Sequence, residues 1–538
     1  MTEENGVEWL VRGFLEALGH ECASDDWIER FVTGRGEALP GRAWLLGWGI
    51  GDAESVVFDT GDPWAIRGAS KALRELDAEI SRGSVPGIRP EQVLHVNNGG
   101  GVAVVSPLAA QEASASLIRL FIERVRVPCS LVTRAIDDES FGTQIDQLER
   151  EIADQRAVKT FDSRADIPFF AQRCQVCGWR AASSLVDGRV GESHLVRTVC
   201  SCCEDFIGIG QALADKTKGA VRFEEISDPR GFLGVVALEL NHLGQTISGL
   251  ETPLSYCRFL RAVGKIFTRS CETVRESYGL QGSGRRISEH ENCLHTPIGG
   301  GASWILVVPA FKAIPLARDF LIEVRDRSRQ SAILRELGLK DLGACAGVAL
   351  GRKDVPVLQL LSESKSLLAN ARQQLNVTRS LTGDDFGGAR SFLDFGGVEQ
   401  GNRDLVDCHS RFDSKLLLSE RPYSLDRLIR FSDRRRHWLR LPLRQLHALR
   451  SFATRGPHQL RDYLRYQWTR HEGWRQLALS LSGRQSSEAV DPDSLYDVFV
   501  DGRDDHHILE VDDLIELRGL WVEPDELQID ASGTRQAI

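Results

Sequence analysis

Two blocks of the sequence share one order of predicted elements: a strand, a helix, a glycine-rich turn between strands, and a second helix. Strand-sized apolar runs and apolar residues three or four positions apart distinguish strands from helices. The first block has predicted strands at 44–48, 55–59, 93–96 and 102–105, and predicted helices at 66–80 and 108–125. The second has predicted strands at 234–240, 303–308 and 345–350, and predicted helices at 254–276, 313–327 and 357–374. This order favours an α+β fold with two ferredoxin-like palm domains.

Two close cysteine pairs lie between the blocks, Cys174-x-x-Cys177 and Cys200-x-x-Cys203. Two such pairs let four thiolates converge tetrahedrally on one Zn²⁺, and Gly178 suits the tight turn after the first pair. The spacing therefore predicts a structural zinc site. Cys202 could replace a cysteine of the second pair, and His194 is a weaker competitor. Four unligated cysteines or a thiol-exchange pair remain as alternatives.

The net charge of −10 predicts no general affinity for nucleic acid, so any such contact needs a local basic surface. Residues 421–475 contain fourteen arginines and four acidic residues, with tryptophans and tyrosines interleaved. We expect Arg434, Arg435 and Arg436 to contact RNA or a partner subunit, because arginine pairs with phosphate and aromatic rings stack on unpaired bases. The alternative is an ordinary solvated helical face.

Common catalytic patterns are missing: the sequence has no GxxxxGK[ST], GxSxG or HExxH motif. A palm nucleotidyl transferase presents paired carboxylates on a hairpin to two divalent cations. The corresponding turn here reads Gly300-Gly301-Ala302-Ser303, which contains no acid. Glu239, near the end of the preceding strand, is a single carboxylate and is insufficient for that role.

The ordered set of motifs resembles the large palm-containing subunit of type III CRISPR effector complexes, over roughly residues 45–475. The motifs that carry this resemblance are Val57-Phe58-Asp59, Asn98-Gly99-Gly100-Gly101, the four-cysteine insert, Glu239-Leu240-Asn241, Pro297 to Val308, and Leu418 to Tyr423. Active members of this family make cyclic oligoadenylates with the Asp pair of a Gly-Gly-Asp-Asp turn and bound Mg²⁺.

The resemblance implies a degenerate site formed by Glu239, Asn241, Gly300, Gly301, Ala302 and Ser303. No His-Asp nuclease domain is recognisable. We therefore expect a scaffold and allosteric subunit, and not an enzyme, that binds guide RNA near its 5′ end, target RNA and other Cas subunits. The alternatives are a palm cyclase with an unusual acid set and a stand-alone nucleotide-sensing signalling protein.

A chain of 538 residues is expected to form several domains. We expect a short N-terminal helical segment at 1–41, a first palm-like domain at 42–150, a linker and zinc-binding insert at 151–228, a second palm-like domain at 229–380, an Arg-rich helical domain at 381–484 and an acidic tail at 485–538. The sequence shows no targeting signal and no run of the roughly 18–20 apolar residues that a membrane span needs. We expect a cytoplasmic protein without a membrane partner.

Overall fold

The computed structural model describes residues 44–50, 56–97, 99–136, 139–162, 171–178, 180–190, 193–217, 223–278, 294–296, 303–339, 342–382, 391–398, 416–417, 419, 421–482, 491, 494–502, 507–518, 527–529 and 535–537. The predicted N-terminal segment at 1–41 lies outside these residues. The prediction of a mixed α+β fold is confirmed.

The first unit is an antiparallel sheet with two helices, formed by β1 (Trp44–Gly49), α1 (Pro63–Ser81), β2 (Val93–Asn97), β3 (Gly100–Val105), α2 (Pro107–Val125) and β4 (Ser130–Ala135). Its strands lie in the order β2-β3-β1-β4. A βαββαβ chain with this strand order is a ferredoxin-like unit. The sequence analysis did not predict β4.

The predicted strand at 55–59 is wrong. Residues 56 and 57 are helical and the chain then bends toward α1. Asp62 caps that helix, since its Oδ1 accepts hydrogen bonds from the amides of Trp64 and Ala65 at 2.9 and 3.0 Å. A short apolar run such as Val56-Val57-Phe58 fits a buried helical turn as well as a buried strand, so its pattern alone could not decide.

A segment with three further helices and a hairpin joins the two units. It comprises α3 (Phe141–Asp162), β5 (Ser184–Val190), β6 (Ser193–Val199), α4 (Ser201–Thr217) and the short α5 (Phe223–Ile226). Helix α3 continues to Asp162 and so crosses the expected boundary between the first palm-like domain and the linker at residue 150. Ile145, Leu148 and Ile152 of α3 are buried.

The second unit has the same core topology and a longer sheet. It contains β7 (Phe232–Leu240), α6 (Leu243–Ser248), α7 (Pro253–Ser277), β8 (Leu294–Thr296), β9 (Ser303–Pro309), α8 (Ala310–Gln330), α9 (Ala332–Glu336), β10 (Ala344–Arg352), α10 (Val357–Thr382) and β11 (Phe392–Val398). The sheet order is β13-β11-β10-β7-β9-β8, in which β13 is the short edge strand Tyr423–Ser424 and β11 runs parallel to β10. Strand β11 was not predicted from the sequence, which placed its residues in the Arg-rich helical domain at 381–484.

The C-terminal part is mainly helical. It contains β12 (Leu416–Leu417), β13 (Tyr423–Ser424), α11 (Leu425–Trp438), α12 (Leu443–Ala453), α13 (Pro457–Arg470), α14 (Glu472–Ser482), α15 (Leu495–Phe499), β14 (Asp501–Gly502), β15 (His507–Ile508), α16 (Val511–Leu517), β16 (Leu527–Ile529) and β17 (Arg535–Ala537). None of the described helices is both long enough and apolar enough to cross a membrane.

A buried ionic network attaches α16 of the predicted acidic tail to the second sheet. The Arg421 guanidinium lies 2.8 Å from Asp513 Oδ1 and 2.9 Å from Glu516 Oε2, and it donates to the Phe395 carbonyl of β11 at 2.7 Å. The Tyr423 hydroxyl donates to Asp513 Oδ2 at 2.6 Å. Removing one partner from such a buried network typically costs about 3–5 kcal/mol. This described part of the tail therefore belongs to the packed protein.

Helices α1 and α4 pack so closely that their backbones touch. A Cβ atom added to Gly68 of α1 would overlap the carbonyl oxygen of Phe206, and one added to Gly210 of α4 would overlap that of Trp64. Backbone atoms cannot rotate away as a side chain can, so both positions require glycine.

We predict that Gly210→Ala destabilises the protein by about 1–3 kcal/mol, because the added methyl forces α4 away from α1. Gly208 is the matched control: it is exposed on the same helix, and nothing lies within 4 Å of its would-be Cβ. Gly208→Ala should stabilise the protein by about 0.5–1 kcal/mol through its helix propensity. Denaturant unfolding of both variants measures these changes, and equal effects would contradict the close contact.

Candidate functional site

The four predicted cysteine ligands come together between the hairpin β5–β6 and the start of α4. The Sγ atoms of Cys174, Cys177, Cys200 and Cys203 all lie within 4.8 Å of one another, and those of Cys177 and Cys200 are 4.0 Å apart. Cys177 is half-buried and the other three are buried. The arrangement offers four sulfur ligands to one metal ion. We call these residues the four-cysteine cluster.

Each cysteine pair lies in a turn whose backbone amides point at sulfur. The Val176 amide donates to Cys174 Sγ at 3.4 Å, and the Cys203 amide donates to Cys200 Sγ at 3.5 Å. Gly178 has a φ of 78°, a left-handed conformation that glycine adopts without strain. Amide donors stabilise negative charge on sulfur, so the turns favour thiolates as well as placing them.

The two cysteines of the second pair, Cys200 and Cys203, have oppositely shifted pKa values. The pKa of the Cys200 thiol is lowered to about 4, mainly because the Cys203 side chain donates a hydrogen bond to it, while burial acts in the opposite direction. The same hydrogen bond raises the pKa of Cys203. One thiolate is thus already present at neutral pH, and metal binding would displace the remaining proton.

The predicted competitors fare differently. Cys202 is buried, with a pKa raised to about 12 by that burial, and it does not belong to the group of four that could hold a metal. His194 pairs with Arg189 in the β5–β6 hairpin, and its side chain is outside the described residues. Sequence reasoning missed Arg180, which donates a hydrogen bond to Cys200. The sequence offered one indication of this contact: Arg180 lies only two residues after Gly178, next to the first cysteine pair.

The second sheet brings two of the predicted palm residues side by side. Glu239 of β7 is the Cα partner of Ser303, the first residue of β9, and on its other side it is the partner of Cys345 in β10. This is the register in which a strand acid lies beside the end of a hairpin turn. Gly300, Gly301 and Ala302 lie outside the described residues.

Glu239 forms an ion pair that the sequence analysis did not predict. Its Oε2 lies 2.9 Å from Arg372 Nη1 of α10. The backbone amide of nearby Asn241 donates a hydrogen bond to the Gly343 carbonyl at 2.9 Å. The buried Asn241 side chain forms a hydrogen bond with the Cys345 thiol. The described end of β7 is therefore held by a guanidinium and neutral polar groups. A cation that approaches Glu239 meets the positive charge of Arg372.

The glycine turn of the first unit is held by an acid from α1. The Gly99 amide donates to Asp77 Oδ1 at 2.9 Å, and Asp77 is buried. Gly99 has a φ of 70°. Asp77 therefore stabilises the turn and is enclosed by the protein.

The two units touch through a partly buried pair of rings. The Tyr256 hydroxyl of α7 lies 2.8 Å from His95 Nδ1 of β2. Burial lowers the pKa of His95 to about 4, so its ring is neutral at physiological pH and its Nδ1 can accept a hydrogen bond from the tyrosine hydroxyl.

The Arg-rich region differs from its prediction in important details. Arg435 is only 1% exposed, so it is not part of a surface available to RNA. Arg434 donates to the carbonyls of Val498 and Phe499 at 3.4 and 3.3 Å and faces Glu510. Arg436 is exposed. It lies with Arg440 close to His437, whose pKa is lowered by burial and by these two arginines.

Most of the interleaved aromatic residues are also internal. Trp438, Trp474 and Phe499 pack edge to face, with ring centroids 5.4–6.5 Å apart. Tyr466, at 56% exposure, is the aromatic residue of the described helices α11–α14 that is strongly exposed. The aromatic pattern of residues 421–475 mainly encodes the core of these helices.

No family model matches the sequence, and no curated protein matches it. Solved structures do match. A chain of the Csm1–Csm4 cassette in complex with cA4 aligns with a TM-score of 0.50 and 12% identity, over 90% of this chain and 70% of that chain. The fold of this chain is similar to that of Csm1. The Csm1 structure from T. onnurineus has a TM-score of 0.49 and 13% identity, over 85% of this chain and 69% of that one. At this identity the likeness to Csm1 concerns the fold alone.

We predict that Cys203→Ser removes metal binding whereas Cys202→Ser retains it, because only Cys203 points its sulfur into the four-cysteine cluster. The two adjacent, buried cysteines are a matched pair for this test. Zinc per chain by elemental analysis and thiolate-to-Co²⁺ absorption of the metal-exchanged protein give the readouts. Loss of metal from Cys202→Ser with retention in Cys203→Ser would contradict the geometry.

Proposed function

We propose that this chain is the large subunit of a type III CRISPR RNA-guided effector complex and that its second palm is catalytically inactive. The observation that carries the proposal is the combination of two ferredoxin-like units with a four-cysteine cluster between them, in a chain that shares the Csm1 fold. In this role the chain binds the guide RNA near its 5′ end and contacts a Csm4-like subunit and target RNA. In this organisation the domains are those expected from the sequence, and helix α3 crosses the expected boundary at residue 150.

The four-cysteine cluster, in this proposal, holds one structural Zn²⁺. Four sulfurs at the usual Zn–S distance of about 2.3 Å lie about 3.8 Å apart in a tetrahedron. The 4.0 Å separation of Cys177 and Cys200 Sγ fits that geometry. Four thiolates leave no open position for substrate, so the metal would stabilise the module and would not act in catalysis.

An inactive palm is supported by the chemistry at the end of β7. Phosphoryl transfer by a palm needs cations where charge develops on the transferred group. In the sequence Ala302 and Ser303 stand at the turn, and in the structure the Glu239 carboxylate is paired with Arg372. Within the described residues, the four-cysteine cluster is the group of potential ligands that could hold a metal. A guanidinium at Glu239 would repel Mg²⁺ from the remaining acid.

We predict that the complex purified with this chain makes no cyclic oligoadenylate from ATP, with Mg²⁺ or Mn²⁺ and a matched target RNA. Losing one electrostatic stabiliser can lower a rate by about a hundredfold or more, and this turn lacks both acids. Chromatography of labelled ATP products measures the outcome. Product that disappears in Glu239→Ala would establish the alternative of a cyclase with an unusual acid set. ATP binding by a chain that copurifies with no RNA would favour a nucleotide-sensing protein.

The exposed arginines around His437 supply the proposed RNA or partner contact, in place of the buried Arg435. We predict that the double variant Arg436→Gln/Arg440→Gln weakens assembly with guide RNA and makes it less dependent on salt, since each lost phosphate contact removes counterion release. Arg82→Gln/Arg119→Gln is the control: it removes the same charge from exposed positions in the first unit. Binding measured across a salt series that changes equally in both variants would assign the cluster to a solvated face.

A further inference from the structure

Two arginines of the cysteine-bearing hairpin region pair with two acids at the start of α1. Arg180 Nη1 lies 3.5 Å from Asp59 Oδ2, and Arg197 Nη1 lies 2.8 Å from Asp62 Oδ2. All four side chains are less than a quarter exposed. Asp62 also caps α1 through the amides of Trp64 and Ala65. The hairpin region therefore forms ion pairs with Asp59 and Asp62, at the point where helix α1 begins.

Arg180 has a second contact, on the side of the four-cysteine cluster. Its guanidinium donates a hydrogen bond to Cys200, while also pairing with Asp59. Four thiolates around one Zn²⁺ carry a net charge of −2, so a neighbouring cation stabilises the loaded cluster. A planar guanidinium has several donors and can bridge two anionic groups at once.

The helix that begins at the second cysteine pair is fixed to α1 along its length. Cys203 lies in the first turn of α4, and α4 touches the α1 backbone at Gly68 and Gly210. A displacement of α1 would thus move Cys200 and Cys203 relative to Cys174 and Cys177. The four sulfurs lie within 4.8 Å of one another in the arrangement in which these two helices are packed.

We propose that Arg180 is a positioning residue that couples metal binding at the four-cysteine cluster to the order of α1 in the first ferredoxin-like unit. The proposal rests on the zinc site proposed above and adds a function for its surroundings. Coupling of two equilibria is reciprocal: if docking of α1 strengthens metal binding, the metal strengthens docking by the same factor. The metal then acts on the first unit as well as on its own hairpin.

Competition with a zinc chelator in the full chain tests the first half of this coupling. Arg180→Gln should bind zinc about tenfold more weakly, as expected for a residue that supports metal ligands. Asp59→Asn should weaken zinc binding about threefold. The zinc affinity of Arg180→Lys should lie between those of Arg180→Gln and the native chain, because lysine keeps the positive charge but lacks the several donors of the guanidinium. The double variant Arg180→Gln/Asp59→Asn should have the same zinc affinity as Arg180→Gln alone, since both substitutions remove the same bridge between Asp59 and Cys200.

The control lies across the same interface. Arg126, just after α2, pairs with Asp205 of α4 at 3.1 Å, but both side chains are about half exposed. Arg126→Gln should change zinc affinity by less than about twofold. Equal zinc affinities of Arg180→Gln and Arg126→Gln would overturn the proposal.

Hydrogen exchange tests the second half. Removing zinc from the native chain should accelerate amide exchange in α1 and leave α8 of the second unit unchanged. Unchanged exchange in α1 would also overturn the coupling. A native chain that binds no zinc would contradict the zinc site itself, whereas one zinc per chain held equally well by Arg180→Gln would contradict the coupling alone.

Discussion

The central strand β7 is the element on which the two halves of this protein depend, because both of its faces are buried in separate cores. Val236, Leu238 and Leu240 point into the core under α7 and α8, while Val235 and Ala237 point into the core shared with α10 and the first unit. Glu239 continues the second set and emerges at the strand end. A one-residue slip would exchange every side chain between the cores, so the position of Glu239 beside Ser303 is fixed by apolar burial.

Electrostatic contacts contribute very unequally to this structure. The Arg421–Asp513 pair is almost inaccessible to water and has further partners in Glu516 and Tyr423, so the loss of one member would leave a buried charge. The exposed Arg126–Asp205 pair has water as an alternative partner and contributes at most about 1 kcal/mol. The Arg180–Asp59 pair lies between these limits in exposure, and Arg180 also donates a hydrogen bond to Cys200 of the four-cysteine cluster.

The sequence was most informative where a pattern has one structural solution. Cysteine spacing predicted the four-cysteine cluster, and long apolar periodicities predicted β7, α7 and α8. Short or mixed patterns were less decisive: Val56-Val57-Phe58 is helical, and the glycine-rich Phe392–Val398 is a strand because it pairs with β10. Arg435 is buried because helix α11 turns it inward, which a run of three arginines cannot reveal. The partners Arg180 and Arg372 come from distant segments and required the fold.

The same physics explains how a palm can lose its acids and keep its fold. The Glu239–Arg372 pair lies at a strand end with both side chains partly exposed, where an ion pair contributes about 0–1 kcal/mol. Its neighbours on β7 are buried, and truncating a side chain such as Leu238 would cost about 2–5 kcal/mol. Substitutions at this partly exposed end of β7 therefore have little effect on stability, whereas the sheet remains under strong constraint from both cores. In the proposed effector subunit, the second unit thus persists as the platform that joins the cysteine module to the C-terminal helices.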